Sequence, residues 1–356
     1  MTKHANIAIR SELYCKESGY FVKKFTQSLD AFGFIHYLCT DLSHGRILLD
    51  GLSKLGSFTF LGGGFVIFPP RSTKISAGET MSNETTKNYV KSITTFDFPG
   101  CKCLVICGDI HGDFNMLVNK VCVQHQLKDA LVIVAGDCGF GFERKGYYES
   151  TFNRNNKRMR EANNWIMFMR GNHDNPAYFD GKTIAYKRFM AIPDYSLVKA
   201  NGHTILCVGG AISVDRVYRI KSWNRIVMNQ RQFGHYHDEH DPLAPNYYWK
   251  DEPPVFYDEL LTHILAENTI DTVITHTAPS FCELKSKAGI NSWIREDPNL
   301  VADLDHERSI MDAIYSKVKD STVSHWCYGH FHQSWHADIN GILFKMLDIM
   351  EFYEIR

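Results

Sequence analysis

The sequence predicts an α/β fold over residues 96–356, with a mostly parallel sheet covered by helices on both faces. Short apolar runs of strand length alternate with longer amphipathic segments of helix length, which is typical of this class. Five of the apolar runs end at turns that carry Asp, His or Asn. Because ligands bind at the carboxyl ends of strands in open α/β sheets, these turns are expected to form one site.

The elements follow from the same periodicity. Strand Lys102–Cys107 is apolar, the chain breaks at Gly108, and the amphipathic helix Phe114–His125 follows. The later strands are predicted at Ala130–Ala135, Trp165–Met169, Thr204–Val208, Thr272–Thr275, Val323–Tyr328, Ser334–Asp338 and Ile342–Ile349, with an edge strand at Ile93–Phe98. The later helices are predicted at Tyr148–Ala162, Tyr257–Glu267 and Val301–Lys319. Asn340 and Gly341 predict a hairpin between the last two strands.

Residues 1–95 are expected to form a small N-terminal extension of unknown role, with a polar linker near residues 72–90. Part of Tyr20–Leu38 is expected to be helical, whereas Ser57–Pro69 contains β-favouring residues interrupted by glycines. The Gly-Glu pair shortly before Met81 raises an alternative. Its codons can form a ribosome-binding site, in which case the native protein starts at Met81 and the preceding region is not native.

Composition predicts a cytoplasmic protein without membrane spans. The 356 residues are 44% hydrophobic, and 39 Lys and Arg residues balance 40 Asp and Glu residues. This balance gives no general attraction to nucleic acid or anionic membranes, although a local basic patch stays possible. The 10 cysteines form no CxxC pair, and neither a signal peptide nor an apolar run of membrane-spanning length is visible.

The residues at the strand ends predict a metal site. They are Asp109, His111, Asp137, Asn172, His173, His276, His330 and His332. A mixture of imidazole and carboxylate suits Zn, Fe or Mn better than Ca. So many ligand groups suit two ions, which a bridging carboxylate would hold about 3.5–4 Å apart, the spacing used for displacement at phosphorus.

In sequence order these turns resemble the motifs of the calcineurin-like metallophosphoesterases. The five blocks are Gly-Asp109-Ile-His111-Gly, Gly136-Asp137, Gly171-Asn172-His173-Asp174, Thr275-His276 and Gly329-His330-Phe-His332. The resemblance covers roughly residues 100–350. It implies a four-layer α/β/β/α sandwich and hydrolysis of a phosphate ester by hydroxide held on two divalent ions. The ions would be Mn, Fe, Zn or Mg, with Mn expected in vitro.

The resemblance also implies roles for individual residues. The first ion would be held by Asp109, His111 and His332, Asp137 would bridge, and the second ion would be held by Asn172, His276 and His330. His173 would protonate or stabilise the leaving oxygen and be kept in place by a carboxylate, so His173 and Asp174 are expected catalytic residues. Asn172 is also expected to contact substrate.

The chain departs from the protein serine/threonine phosphatases of this superfamily. Their GDxxDRG motif is replaced by Gly136-Asp-Cys-Gly-Phe-Gly141, so the phosphate-binding Arg and the His-orienting Asp of that motif are missing. Arg170, directly before Gly171, does resemble that branch. It is expected to bind the substrate's phosphate and assist catalysis, and the alternative is a salt bridge under a helix at Asn175–Phe179.

The stretch after the strand at Thr204–Val208 is a second candidate for substrate binding. Arg216 follows a Gly-Gly-Ala-Ile-Ser segment and is expected to contact phosphate, with a structural Arg-Asp pair as the alternative. Basic and aromatic residues then mix over 215–249, a pattern that can hold a nucleotide or form a packed surface loop. His235, His237 and His240 resemble a third metal site, but a solvated cluster is the favoured interpretation.

The sequence therefore predicts a two-metal phosphoesterase that prefers phosphomonoesters on a small molecule, nucleotide or protein. One alternative is a phosphodiesterase or nuclease that acts on nucleotides or nucleic acid. The other is a metal-binding regulatory protein without turnover. The oligomeric state is not predicted.

Overall fold

The computed structural model describes residues 93–144, 146–232, 241–287 and 289–356 in full, and the backbone of five strands within residues 1–92. The chain divides into two compact units, Met1–Met81 and Ser82–Arg356. The predicted linker near residues 72–90 and the alternative start at Met81 lie outside the described residues.

The first unit contains five described strands. They are β1 (Ile9–Ser11), β2 (Phe25–Leu29), β3 (Ile35–Cys39), β4 (Ser57–Leu61) and β5 (Gly64–Phe68). β1, β2 and β3 form an antiparallel sheet, and β4 and β5 form a hairpin. The described residues of Tyr20–Leu38 form β2 and most of β3, so the helix expected in part of this stretch is not found among them. The β-branched and aromatic residues on either side of Gly33 favour strands.

The second unit alternates strands with helices. Its strands are β6 (Thr95–Phe98), β7 (Cys103–Cys107), β8 (Ala130–Val134), β9 (Trp165–Phe168), β10 (Ala185–Tyr186), β11 (Phe189–Ala191), β12 (Ser196–Ala200), β13 (His203–Val208), β14 (Thr272–Thr275), β15 (His325–Tyr328), β16 (Trp335–Ile339), β17 (Ile342–Met346) and β18 (Phe352–Ile355). Its α-helices are α1 (Phe114–Asn119), α2 (Tyr147–Glu161), α3 (Arg216–Gln232), α4 (Asp258–Glu267), α5 (Asn291–Glu296) and α6 (Leu300–Val318). The π-helical turn Lys120–Gln124 continues α1.

These strands form two sheets. One has six strands in the order β10-β11-β9-β8-β7-β18, and the other has seven in the order β16-β17-β15-β14-β13-β12-β6. The strands β7, β8, β9 and β11 are parallel, as are β13, β14, β15 and β17. The carboxyl ends of the central strands of each sheet therefore lie along one edge of that sheet.

The core shows four layers. Alternate residues of β7 point to opposite faces, so that Leu104 and Ile106 join a cluster with residues of β13, β14 and β15 between the sheets. Val105 and Cys107 pack instead with side chains of α1 and α2. Helices α4 and α6 cover the outer face of the seven-stranded sheet. This order of helices, sheet, sheet and helices confirms the expected α/β/β/α sandwich.

The predicted elements of the second unit are present, with boundaries shifted by a few residues. β6 is an edge strand and β16 pairs with β17 as a hairpin, as predicted. Strands β10, β11, β12 and β18 and helices α3 and α5 were not predicted. Helix α3 shows no apolar stripe, because its buried residues are Arg219 and Val227, so its periodicity is hard to recognise. Among the residues that the structure describes, no helix has the length and apolar character needed to cross a bilayer.

Candidate metal centre and active site

Strand register brings the predicted ligands of the six-stranded sheet together. Cys107 of β7 pairs with Val134 of β8, and Val134 pairs with Phe168 of β9, so these three strands end at one level. Asp109, Asp137 and Asn172 follow within four residues of those ends. In the other sheet His276 directly follows β14, and His330 and His332 follow β15.

The ligand atoms form two groups that share one carboxylate. Asp109, His111, Asp137 and His332 each place a ligand atom within 4.8 Å of the others, and Asp137, His276 and His330 do the same. Asp137 belongs to both groups and is almost fully buried. Its carboxylate therefore links the two groups.

The first group is closely packed. The Nε2 atoms of His111 and His332 lie 3.0 Å apart, and His332 Nε2 lies 3.1 Å from Asp109 Oδ2. Asp109 Oδ2 is buried and receives no aligned hydrogen bond from the described part of the chain. A buried carboxylate oxygen that faces two imidazole nitrogens fits a cation.

The second group is oriented by backbone and amide contacts. His276 Nδ1 lies 2.7 Å from the carbonyl oxygen of Ala135, and since a carbonyl only accepts, Nδ1 carries a proton. His276 Nε2 then points at Asp137 Oδ1 and at Asn172 Oδ1, each 3.1 Å away. Asn172 Nδ2 donates to Ser213 Oγ, and this bond leaves the amide oxygen facing the group.

The electrostatics of the two groups also favour a cation. Burial lowers the pKa of His276, but the charge of Asp137 and its hydrogen bond outweigh burial and raise that pKa to about 10. Burial raises the pKa of Asp137, but His276 and His173 bring it well below its usual range. Asp137 thus stays ionised in a buried place, where a divalent ion can replace the proton on His276. The residues fit a metal centre.

The backbone at the ligands is unusual. His111, Asp137, His330 and His332 have φ angles of 44°, 47°, 71° and 50°, in the left-handed region that non-glycine residues seldom adopt. Such conformations persist at functional sites where the surrounding structure holds them. The strand ends therefore turn sharply, and the turns direct these side chains toward the centre.

His173 lies beside the first group and lines a cavity. Its backbone N–H donates to Asp137 Oδ1 at 2.7 Å, and its ring meets His111 edge-on at 5.2 Å. The ring also stacks on Phe142 with centroids 6.1 Å apart. Burial lowers the pKa of His173 to about 4. The charge of Asp137 acts to raise this pKa, and the charge of Arg219 acts to lower it further. The cavity has a volume of about 260 Å³ and is lined by His111, Gly112, Phe114, Gly139, Phe142, Glu143, Tyr147 and His173.

Asp174, an expected catalytic residue, directs its carboxylate to backbone N–H groups. The two oxygens of its fully buried carboxylate accept hydrogen bonds from backbone N–H groups of Cys138, Gly139, Phe140 and Gly171 at 2.7–2.9 Å. These bonds tie the turn after β8 to the turn after β9. Asp174 therefore positions the loop that carries Asp137 and is not placed to act on a substrate.

Arg170 is committed to structure rather than to phosphate. Nε and Nη2 contact Asp194 Oδ2 at 2.8 Å, and Nη1 donates to the carbonyl oxygen of Glu252 at 2.7 Å. Nη1 and Nη2 also donate to the carbonyl oxygens of Asp251 and Pro253. With every nitrogen engaged and 6% of the residue exposed, Arg170 has no donor left for a substrate. Arg170 thus forms a salt bridge with Asp194, which lies outside the Asn175–Phe179 helix where the sequence placed the alternative pair.

Arg216 is paired in a similar way. Its Nε lies 2.5 Å from Asp297 Oδ2, and its Nη2 donates to Asp303 Oδ2. The expected phosphate contact is thus replaced by an ion pair between the start of α3 and the region around α6. Of the proposed third metal site, His235, His237 and His240 lie outside the described residues.

Sequence reasoning missed a buried polar group behind Asn172. Ser213 donates to Glu252 from its N–H and its hydroxyl, each at 2.7 Å, and accepts from Asn172 and Arg219. Burial raises the pKa of Glu252 to about 8, opposed by the Ser213 bonds and Arg219. The sequence signal was the Gly-Gly-Ala-Ile-Ser segment, whose serine was not singled out. Glu252 carried no signal, since its partners lie 39 and 33 residues away.

A four-layer α/β/β/α sandwich whose strand ends gather carboxylate, imidazole and amide ligands around a shared aspartate defines a metal-dependent hydrolase. A family model described as calcineurin-like phosphoesterase matches residues 104–334, well over half of the chain. The chain belongs to the calcineurin-like phosphoesterase family and is a metal-dependent phosphoester hydrolase.

Solved structures share low identity with this chain. The protein TT1561 of Thermus thermophilus is 12% identical, with a TM-score of 0.37, and the match covers 70% of this chain and 90% of that one. GAP50, the anchor in the inner membrane complex of Plasmodium, is 11% identical, with a TM-score of 0.33 and coverages of 69% and 71%. The phosphopantetheinyl hydrolase of Mycobacterium tuberculosis is 14% identical, with a TM-score of 0.32 and coverages of 70% and 90%. A search of curated protein sequences gave no significant match.

Proposed function

We propose that this hydrolase acts on phosphomonoesters with two divalent metal ions. The observation that carries the proposal is the pair of ligand groups that share the buried carboxylate of Asp137. The first ion would be held by Asp109, His111 and His332, and the second by Asn172, His276 and His330. Divalent ions in such a pair polarise phosphoryl oxygens and lower the pKa of a coordinated water.

The protein side chains then have separate tasks. His173 lies beside the first group and on the wall of the cavity, where its ring N–H can donate a hydrogen bond to the leaving oxygen. The aromatic rings of Phe142 and Phe114 line the same cavity and reduce the water around the ester. Manganese is the proposed ion for assays, because imidazole with carboxylate and amide oxygen suits it.

A preference for monoesters is supported by charge. Arg170 and Arg216, which the sequence offered for this purpose, are both paired elsewhere. A third arginine, Arg219, is buried 3.3 Å from the carbonyl oxygen of Asn172. A monoester carries more negative charge than a diester, so a buried cation beside the ligands favours the monoester.

Phosphodiester hydrolysis is the second candidate, and an aromatic cluster near the cavity favours it. Phe142 contacts Tyr247 and Trp249 at ring distances of 6.0 and 5.3 Å, and Tyr247 contacts Trp223 of α3 at 5.1 Å. Aromatic rings stack on nucleobases, so a nucleotide diester would gain from this surface.

The eight cysteines of the described residues are free thiols, which supports the proposed cytoplasmic location.

The test is a metal analysis joined to two assays. The purified chain is loaded with Mn²⁺, its metal content is measured, and p-nitrophenyl phosphate is compared with bis-p-nitrophenyl phosphate before and after chelation. The proposal expects about two ions per chain and chelator-sensitive turnover that favours the monoester. Faster turnover of the diester would replace the proposal by the second candidate, and one ion per chain would remove the binuclear centre.

A further inference from the structure

Helix α3 carries a buried guanidinium to the edge of the metal centre. Arg219 is 5% exposed, although it lies in the first turns of a helix with few buried residues. Its Nη1 donates to the Ser213 hydroxyl and lies 3.3 Å from the carbonyl oxygen of Asn172. Its guanidinium carbon lies 5.7 Å from the centre of the Phe142 ring, which also stacks on His173. Arg219 thus contacts a proposed metal ligand and one wall of the cavity.

One terminal nitrogen of this guanidinium is unpaired among the described residues. Arg219 Nη2 is buried and has no hydrogen-bond partner in the described part of the chain. Burial of a charged group's N–H without a hydrogen-bond acceptor costs free energy. An unpaired buried nitrogen of this kind therefore needs an explanation. Glu252 Oε2 lies 4.0 Å from Nη1 and offsets part of the charge, but it leaves Nη2 without a partner.

Among the described residues, two other arginines have a buried nitrogen without a hydrogen-bond partner, Nε of Arg188 and Nη1 of Arg308. Arg188 stacks on Trp165, the first residue of β9, and donates to the carbonyl oxygen of Asn164, the residue before it. These contacts lie at the end of β9 that is opposite the metal centre. Arg308 packs on Phe331, and its Nη2 donates to the carbonyl oxygens of Cys282 and Leu284. Of the three, Arg219 contacts a residue proposed as a metal ligand, through the carbonyl oxygen of Asn172.

We propose that Arg219 binds the phosphoryl group of the substrate, with Nη2 donating to a phosphoryl oxygen. This proposal rests on the proposed function and names its missing phosphate-binding residue. Nη1 is held by Ser213, and Ser213 is held by Glu252, so the guanidinium is oriented before substrate arrives. Guanidinium–phosphate bonds are among the stronger hydrogen bonds in proteins. Arg219 of helix α3 therefore binds the phosphate, the role that was expected from the sequence for Arg170 and Arg216.

The assignment makes a prediction about charge. Orthophosphate and a monoester present a dianionic group, whereas a diester presents a single negative charge. Loss of Arg219 should therefore weaken orthophosphate binding and raise the monoester KM more than the diester KM. A charge-assisted bond of this kind corresponds to about a 10- to 100-fold change in affinity.

The experiment measures binding of inorganic phosphate to the full-length, Mn²⁺-loaded chain by calorimetry. The variants are R219M, which removes charge and donors, and R219K, which keeps charge but has a single ammonium to serve both Ser213 and the phosphate. The matched control is R188K, since Arg188 is 7% exposed and its Nε has no hydrogen-bond partner among the described residues, but it lies just before β11, beside the first residues of β9. Metal content is measured for every protein.

The expected result is 10-fold or weaker phosphate binding in both Arg219 variants at unchanged metal content, with R188K within about twofold of the native chain. Native phosphate affinity in either metal-loaded Arg219 variant would overturn the assignment. Loss of metal in both variants would also overturn it, because Arg219 would then serve to hold Asn172. A native chain that binds phosphate through Arg219 but hydrolyses no monoester would refute the proposed function and leave this assignment standing.

Discussion

At the scale of single residues, two glycines let the strand ends approach the metal ligands. A Cβ atom on Gly171 would lie 2.2 Å from Asp137 Oδ1 and 2.6 Å from His276 Nε2. A Cβ atom on Gly329 would lie 2.2 Å from Asp109 Oδ1. Each glycine directly precedes a proposed ligand, so the space it leaves is occupied by the ligand of another turn.

We expect Gly171→Ala to lose most of its bound Mn²⁺ and its turnover. The new methyl group must displace Asp137 or His276, and such overpacking costs about 1–3 kcal/mol. Metal content and p-nitrophenyl phosphate turnover check this. Gly100→Ala is the control, because nothing lies within 4 Å of a Cβ atom there. Native metal content in Gly171→Ala would show that the centre tolerates movement of Asp137.

We expect His173→Ala to keep its metal and to lose about 10²- to 10⁴-fold in kcat, the usual contribution of a proton-donating side chain. The metal should remain because the contact of residue 173 with Asp137 runs through the backbone N–H, which alanine keeps. Metal analysis and steady-state kinetics test both parts. An unchanged kcat would remove His173 from the mechanism.

At the scale of elements, the C-terminal loop between β17 and β18 supports the first strand end. Gly108 N–H donates to the carbonyl oxygen of Glu351, and Met350 N–H donates to that of Asp109. The Glu351 side chain holds this loop through Lys345, Ser334 and the N–H of Asp348 at 2.6–2.9 Å. The last strand is therefore part of the support of the metal centre.

The pKa of Glu351 gives this support a pH dependence. Burial raises that pKa, but hydrogen bonds from Asp348 and Lys345 outweigh it and leave the pKa below its usual value. A lowered carboxyl pKa contributes stability above the unfolded value, about 4.3, and the contribution is lost as pH falls through the folded value.

We expect Glu351→Gln to reduce the free energy of unfolding by about 1–2 kcal/mol at pH 7 and pH 5, and by less near pH 3.5. Urea unfolding at the three pH values measures the difference. Glu354→Gln serves as the control, since that carboxylate pairs with the exposed Arg356 at the surface. A difference that grew toward low pH would contradict the assigned sign.

At the scale of the whole molecule, the candidate metal centre lies between the two sheets. The six-stranded sheet supplies Asp109, Asp137 and Asn172, and the turns of the seven-stranded sheet supply His276, His330 and His332. A cation bound between them would cross-link the sandwich at one edge. Binding to the folded state alone stabilises by about 2.7 kcal/mol at a hundred times the Kd.

We therefore expect chelation to lower the melting temperature of the Mn²⁺-loaded chain by about 5 °C or more. Asp137→Asn keeps the size of the side chain and suits the left-handed backbone at this position, but it removes the shared charge. Its melting temperature should respond little to Mn²⁺ or to chelator. Equal melting temperatures of the native chain with and without Mn²⁺ would show that metal does not link the sheets.

The sequence alone determined most of the order of strands and helices in the second unit and the candidate ligands at the strand ends. Period-2 and period-3.6 patterns are local, and the parallel arrangement then places the strand ends along one edge. Tertiary structure alone decided the partners of the charged side chains. Arg170 pairs with Asp194, Asp174 binds four backbone N–H groups, and Arg219 reaches Asn172 from a helix without an apolar stripe. Such contacts join residues far apart in the chain, and no local pattern encodes which buried charge meets which donor.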